Sequence, residues 1–223
     1  MSEPAVGICV VTYKRPQQLL KALSWIQERT RYPNYKLYVI IDHEEDSATI
    51  GALVRSRFTD YTVEMFTSRV ECVKATNRCN SIGDEPYFVY LSDDMEVEEG
   101  WLQEAMKCMQ TIPNGNGLVV FKDGIQNGRN ACAGLISRNY IRAHLGGIFY
   151  NEVYVHFSAD TELFKKSRTR NRLRYCPTSV VWHNHWGGSG GHKSGKDVIY
   201  TGSRYLLLAD RAMLRKRIQE EFR

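Results

Sequence analysis

Tyr87-Phe88-Val89-Tyr90-Leu91-Ser92-Asp93-Asp94 is the stretch whose reading decides the fold. An unbroken apolar and aromatic run is the mark of a strand buried on both faces, and such strands belong to parallel sheets covered by helices on each side. The run stops on a hydroxyl and two adjacent carboxylates. Upstream the same grammar repeats. Val6–Thr12 is a second apolar run, followed by Pro16, which suits a first helical turn, and by Leu19, Leu20, Leu23 and Ile26 at helical spacing. Tyr35–Ile41 ends at Asp42, a short helix covers about 47–58, Tyr61–Phe66 is a further strand, and a polar helix spans about 70–82. Repeated strand–helix–strand units predict an α/β fold with a mostly parallel, Rossmann-like sheet flanked by helices in the N-terminal half.

In such sheets ligands sit outside the carboxyl ends of the strands. The residues that matter are therefore Thr12-Tyr13-Lys14, Asp42 and Ser92-Asp93-Asp94. Two adjacent carboxylates behind a buried strand are costly unless a cation joins them. Hard oxygen ligands suit magnesium or manganese, which also take phosphate oxygens from a substrate. The competing reading is a solvated acidic turn, with Glu96 and Glu98 as capping acids of the next helix.

Downstream the pattern is less regular. Gly100–Gln110 is a helix with Trp101, Leu102, Ala105, Met106 and Met109 on its apolar side. Leu118–Phe121 and Ala131–Ile136 are strands, Ser137 caps a helix to about His144, and Asp160–Lys166 starts another. Val180–His183 is a last strand. A glycine-rich loop from Gly187 to Lys196 is expected to be mobile and to close over a ligand, and a C-terminal helix covers Arg204–Phe222. One domain is expected, with a ligand-binding half at 1–99, a second half at 100–190, and the loop and helix at 191–223.

Bulk properties exclude several classes. The 223 residues are 43% hydrophobic and 25% charged, as in a folded globular protein. No apolar run approaches the roughly 18 residues of a membrane span. Met1-Ser-Glu-Pro carries no basic patch leading into an apolar stretch, so the expectation is a cytoplasmic protein. Six cysteines at positions 9, 72, 79, 108, 132 and 176 show no CxxC spacing and read as reduced, mostly buried thiols. A net charge of +5 is concentrated in Lys165, Lys166, Arg168, Arg170, Arg172 and Arg174 and again in Arg211, Arg215, Lys216 and Arg217. Either cluster is a solvated face or a surface that attracts a diphosphate, an acidic polymer, a nucleic acid or a lipid headgroup.

Val11-Thr-Tyr-Lys-Arg-Pro16, Val39-Ile-Ile-Asp42 and Tyr90-Leu-Ser-Asp-Asp94 ahead of Val97-Glu-Glu-Gly-Trp-Leu102 together resemble a family-2 glycosyltransferase of the GT-A fold, over a stretch reaching about His185. The segment LSDDMEVEEGWL is the most specific part of the likeness. The resemblance implies a nucleotide-diphosphate-sugar donor and a divalent metal, manganese or magnesium, with Asp94 as metal ligand and Asp93 beside it. Ser92 stands where that family often has Asp. The resemblance assigns the donor's base and ribose to Thr12, Tyr13 and Asp42, with Arg15 close by. Lys74 and Asn77 are similar to the family's basic-plus-Asn stretch, the competing reading being an exposed helix face. Asp160 matches the general base of an inverting transfer, Glu162 is the second choice, and an N-cap role for Asp160 is the alternative. The resemblance further implies a histidine after the last strand that completes the metal site or contacts the diphosphate, His183 fitting the pattern better and His185 being the alternate. The acceptor is open among a glycan, a lipid-linked glycan, a protein and a modified nucleic acid, as is the oligomeric state. Nucleotidyl transfer lacks support, since no glycine-rich phosphate loop follows the first strand. A non-catalytic nucleotide-sugar or polyanion-binding module of the same fold is the rival from another class.

Overall fold

The computed structural model describes residues 3–43, 47–184 and 205–221, and every structural statement below concerns these. Strands β1 (Val6–Thr12), β2 (Tyr35–Ile41), β3 (Tyr61–Met65) and β4 (Tyr87–Ser92) alternate with helices α1 (Pro16–Arg29), α2 (Ser47–Arg57) and α3 (Glu71–Ile82). There follow β5 (Met95–Val97), α4 (Trp101–Gln110), β6 (Leu118–Lys122), β7 (Gly134–Ser137), α5 (Arg138–His144), α6 (Ala159–Thr169), β8 (Leu173–His183) and α7 (Leu206–Glu221). The strands form one sheet in the order β3-β2-β1-β4-β7-β6-β8-β5. β1 to β4 are mutually parallel where they pair, as the apolar runs predict. β7 enters antiparallel to both β4 and β6, and the short β5 runs antiparallel to the end of β8.

Period-two alternation sorts the strand side chains between two layers. Ile8, Val10, Val89 and Leu91 join one cluster with Leu19, Leu23 and Ile26 of α1 and Trp101, Leu102 and Met109 of α4. Cys9, Phe88 and Tyr90 point the other way and join Val73 and Cys79 of α3, Tyr140 of α5, and Leu163 and Phe164 of α6. Trp101 is fully buried and its indole N–H donates to Thr30 Oγ1 at 3.0 Å, so its ring contributes apolar area without an orphaned donor. Ser137 caps α5 as expected, its hydroxyl accepting from Tyr140 N at 3.1 Å.

One expectation is corrected here. Cys9 and Cys79 are disulfide-bonded, not reduced thiols. The face of β1 that carries Cys9 is the one α3 covers, which brings the two Cα atoms to 6.1 Å across 70 residues of sequence. Among the described residues no helix is long and apolar enough to cross a membrane.

Candidate active site

Strand order reverses between β1 and β4, and there a doubly wound sheet opens its ligand crevice. Val11 pairs with Ser92, so Thr12 and Asp93 emerge side by side. The Thr12 hydroxyl donates to Asp93 Oδ2 at 2.7 Å, and Arg15 Nη1 approaches Asp93 Oδ1 at 3.3 Å and Asp94 Oδ2 at 4.0 Å. Ser92 is no blank in the acidic motif. Its hydroxyl donates to Asp94 Oδ1 at 2.6 Å, and His183 Nε2, at the end of β8, lies 3.3 Å from the same oxygen. Burial, then the neighbouring Asp94, raises the affinity of Asp93 for a proton. Burial works the same way on Asp94, but His183, Ser92 and Arg15 outweigh it and hold Asp94 well below the usual carboxylate range. His183 is desolvated, yet Asp94 favours its charged form more strongly and lifts its pKa.

A cleft of about 490 Å³ opens over this edge, and Thr12, Tyr13, Arg15, Asp42, Asp93, Asp94 and His183 all line it, together with Asp160. Asp160 arrives from the far half of the chain as the second residue of α6. The N-cap position belongs to Ser158, in the left-handed region at φ 69°, so the capping alternative for Asp160 does not hold. Its Oδ2 accepts from Asn130 Nδ2 at 2.8 Å and from the Cys132 thiol at 3.5 Å, while Oδ1 accepts from Thr161 N at 2.7 Å. Burial raises its pKa above the ordinary aspartate value against these donors. The Cys132 thiol is itself kept protonated by burial and by Asp160.

Three expected site residues sit elsewhere. Glu162 is 3% exposed, and both its oxygens are taken: Arg217 donates to them at 2.7 and 3.0 Å, Lys166 Nζ lies 2.6 Å away, and the Tyr154 hydroxyl also donates. Despite its burial, Arg217, Lys166 and Tyr154 pull its pKa down to about 2, which disqualifies it as a base near neutrality. Asn77 is buried and spends its amide on Tyr150 O, Tyr150 N and Glu152 Oε1 at 2.8, 2.8 and 3.0 Å. Lys74 is exposed and, with Asn77, lines a neighbouring groove instead of the cleft. His185 and the Gly187–Lys196 loop lie outside the described residues. The basic run from Lys165 is partly consumed locally, with Lys166 on Glu162 and Arg172 on Pro113 O at 2.8 Å.

Other lining residues carry no warning in the sequence reading. Arg69 stacks over the Tyr13 ring at 4.2 Å and bonds Glu71 Oε2 at 2.9 Å, and the same oxygen meets His156 Nδ1 at 2.9 Å. Glu71 is a non-glycine residue at φ 70°, held there with Asp42 Oδ2 accepting from its N–H at 2.9 Å while Oδ1 accepts from Val70 N at 2.7 Å. Asp42 thus pins the start of α3 to the end of β2. A carboxylate offers about four lone-pair sites, so two remain for a ligand hydroxyl. The strand-end rule, extended to β3, would have drawn attention to Arg69–Glu71. Asn130 and Cys132 precede β7, which begins at Gly134 and not at Ala131 as the apolar run suggests, and nothing in the sequence pattern marked either as a site residue.

A crevice at the reversal of a GT-A sheet, an acidic strand end and a carboxylate from a distant helix define a class. The sequence model of glycosyl transferase family 2 matches residues 7–183, most of the chain, and the protein belongs to that family. Among solved structures, S. aureus TarS superposes with a TM-score of 0.65 at 10% identity, over 80% of this chain and 36% of that one. TarS 1-349 matches with a TM-score of 0.65 at 12% identity, over 80% of this chain and 60% of that one. TarS 1-349 in complex with UDP-GlcNAc matches with a TM-score of 0.65 at 13% identity, over 92% and 66%. At such identities the likeness speaks for the GT-A fold. The chain spans from 36% to 66% of the length of these neighbours. No curated protein sequence matches it.

Proposed function

We propose that the protein transfers a sugar from a nucleotide-diphosphate sugar to an acceptor hydroxyl with inversion at the anomeric carbon. One observation carries the reading: Asp94 and Asp160, far apart in sequence, line the same cleft. The acceptor oxygen attacks the anomeric carbon from the side opposite the diphosphate, the bond to the phosphate oxygen breaks, and Asp160 takes the acceptor's proton. Asn130 and Thr161 hold the carboxylate in place, and burial makes it more basic than a free aspartate. Arg15 faces the charge that grows on the leaving diphosphate. Tyr13, backed by Arg69, offers a flat surface for the base, and Asp42 accepts from the ribose.

Among the described residues no group of three or more His, Cys, Asp and Glu side chains forms a complete metal cage. Magnesium and manganese do not need one, since one or two carboxylates plus substrate phosphates suffice. The close approach of His183 and Asp94, two ligand types side by side on a buried edge, fits such an ion. Asp94 and His183 would hold it, with Asp93 behind them. When bound it supplies Lewis-acid stabilisation to the diphosphate.

Because TarS was solved with UDP-GlcNAc, UDP-N-acetylhexosamines are the first donors to test. The test is a panel of nucleotide sugars followed by thermal shift and by release of nucleoside diphosphate, each with and without manganese. The expected result is one donor that raises Tm and is consumed faster with metal; at about 100 times Kd the stabilisation is about 2.7 kcal/mol. A panel in which nothing binds and nothing is consumed overturns the enzyme reading and leaves the non-catalytic binding module.

A further inference from the structure

Helix α7 contributes little to the sheet's core, where only Met213 and Leu214 pack, partly buried, against the cluster that contains α3 and α6. Its polar residues do more. Asp210 is 2% exposed, and its carboxylate accepts three consecutive backbone N–H groups: Val155 on Oδ1 at 3.1 Å, and His156 and Phe157 on Oδ2 at 2.9 and 2.7 Å. Those residues lead directly into Ser158, the left-handed cap of α6, and Asp160 follows two residues later. Two turns further along the same face of α7, Arg217 forks onto both oxygens of Glu162. The helix therefore grips the chain immediately before and immediately after Asp160. On its flank Leu207 and Arg211 line the cleft itself.

A buried carboxylate shared by three amides makes charge-assisted bonds, and removing it leaves those N–H groups without an acceptor. The segment most directly released is 155–157, which sets how α6 begins. We propose that α7 fixes the reacting position of Asp160, with Asp210 as the positioning residue and Arg217 as its second tie. The inference rests on the reading of Asp160 as the base.

The experiment uses the full chain, the donor selected by the panel, and water as acceptor, with nucleoside diphosphate release as the readout. In that reaction water attacks the anomeric carbon, its proton passes to Asp160, and the diphosphate departs. Asp210→Asn is expected to lower kcat roughly 10- to 100-fold, the scale of a small misplacement of a reacting group. Donor KM should stay within about twofold, because no donor contact is removed. The acid limb of kcat should also move, since the surroundings of Asp160 change. In an Asp160→Asn background the same substitution should cost nothing further, because both act through one carboxylate. A single variant with wild-type kcat, or a loss that persists undiminished in the double variant, overturns the inference. Full turnover by Asp160→Asn alone instead overturns the base assignment, a separate result. If Asp210→Asn fails to fold, Arg217→Gln decides, since Lys166 and Tyr154 still hold Glu162: a lowered kcat with unchanged KM supports the inference, and an unchanged kcat refutes it.

Discussion

Two acidic pairs, Asp93-Asp94 at a strand end and Asp160-Thr161-Glu162 at a helix start, look alike in sequence and are placed differently by the fold: both acids of the first line the cleft, whereas of the second only Asp160 does. In each, one carboxylate is pushed toward its neutral form and the other toward its charged form. Burial raises Asp93 and Asp160, whereas Asp94 with His183 and Glu162 with Arg217 and Lys166 are drawn down against their burial. Environments that push paired carboxylates apart assign chemical roles. On the proposed function the assignment is crossed: the raised member of the helix pair is the proposed base and the lowered member of the strand pair the proposed metal-side anion, while Asp93 lines the cleft beside it. The first acid is raised and the second lowered in both pairs, so the direction of the shift does not by itself give the role.

The largest effect should come from the raised member of the helix pair. Asp160→Asn is expected to cut turnover about 10²- to 10⁴-fold while donor affinity, read by thermal shift, stays put. In the wild type kcat should fall as pH drops through the raised pKa of Asp160, at a higher pH than an exposed aspartate gives, because only the deprotonated base accepts the proton. Normal turnover in Asp160→Asn would break the crossed assignment at its centre. Next in size is Asp94→Ala, expected to lower kcat/KM about 10²- to 10³-fold, the cost of removing one preorganised electrostatic group. Here the metal-dependent part of the donor's thermal shift should vanish, which distinguishes it from the base variant.

Apolar runs made β1 and β4 legible, because strands buried on both faces carry few polar interruptions, whereas β3 is a half-buried edge strand that carries Thr62 and Glu64. The direction of β7 was not legible, since periodicity reports burial and says nothing of parallel or antiparallel pairing. β8 reads from Val180 in the sequence but begins at Leu173. Its first half carries Arg174, exposed Tyr175 and Pro177, and its register against β6 shifts between Phe121 and Lys122. Within the site, Asp93, Asp94 and Thr12 were readable from strand ends, whereas Asp160 needed the family resemblance because helix starts are acidic for ordinary capping reasons. Lys74 and Asn77 were misplaced because a helix of 3.6-residue period has two sides: Cys72 and Thr76 line the cleft, while Lys74, Asn77 and Arg78 line the groove beside it.

Glu162 sharpens the comparison from the stability side. Its folded pKa of about 2 lies below the ordinary 4.5, so its contribution is full above the unfolded value and disappears as pH falls through about 2. Glu162→Gln should destabilise the protein by about 3 kcal/mol at neutral pH, because the buried carboxylate that accepts from Arg217 and Tyr154 and pairs with Lys166 loses its charge. The acid limb of its stability curve should flatten between about 4.5 and 2. Chemical denaturation across that range measures both, and an unchanged midpoint at neutral pH would show that the ion-pair cluster contributes nothing.

The smallest effect belongs to the raised member of the strand pair. Burial and Asp94 already press Asp93 toward its neutral form, so a neutral isostere loses little. In Asp93→Asn the amide oxygen still accepts from Thr12, which donates at 2.7 Å in the wild type, and what disappears is the charge facing Arg15 at 3.3 Å. The expected cost in donor-free protein is about 1 kcal/mol, the scale of one hydrogen bond. Denaturation midpoints of Asp93→Asn and Glu162→Gln, taken side by side at neutral pH, test the ranking. If the two match, Asp93 is a fixed anion like Glu162, and the strand pair is held by Arg15 rather than divided by burial.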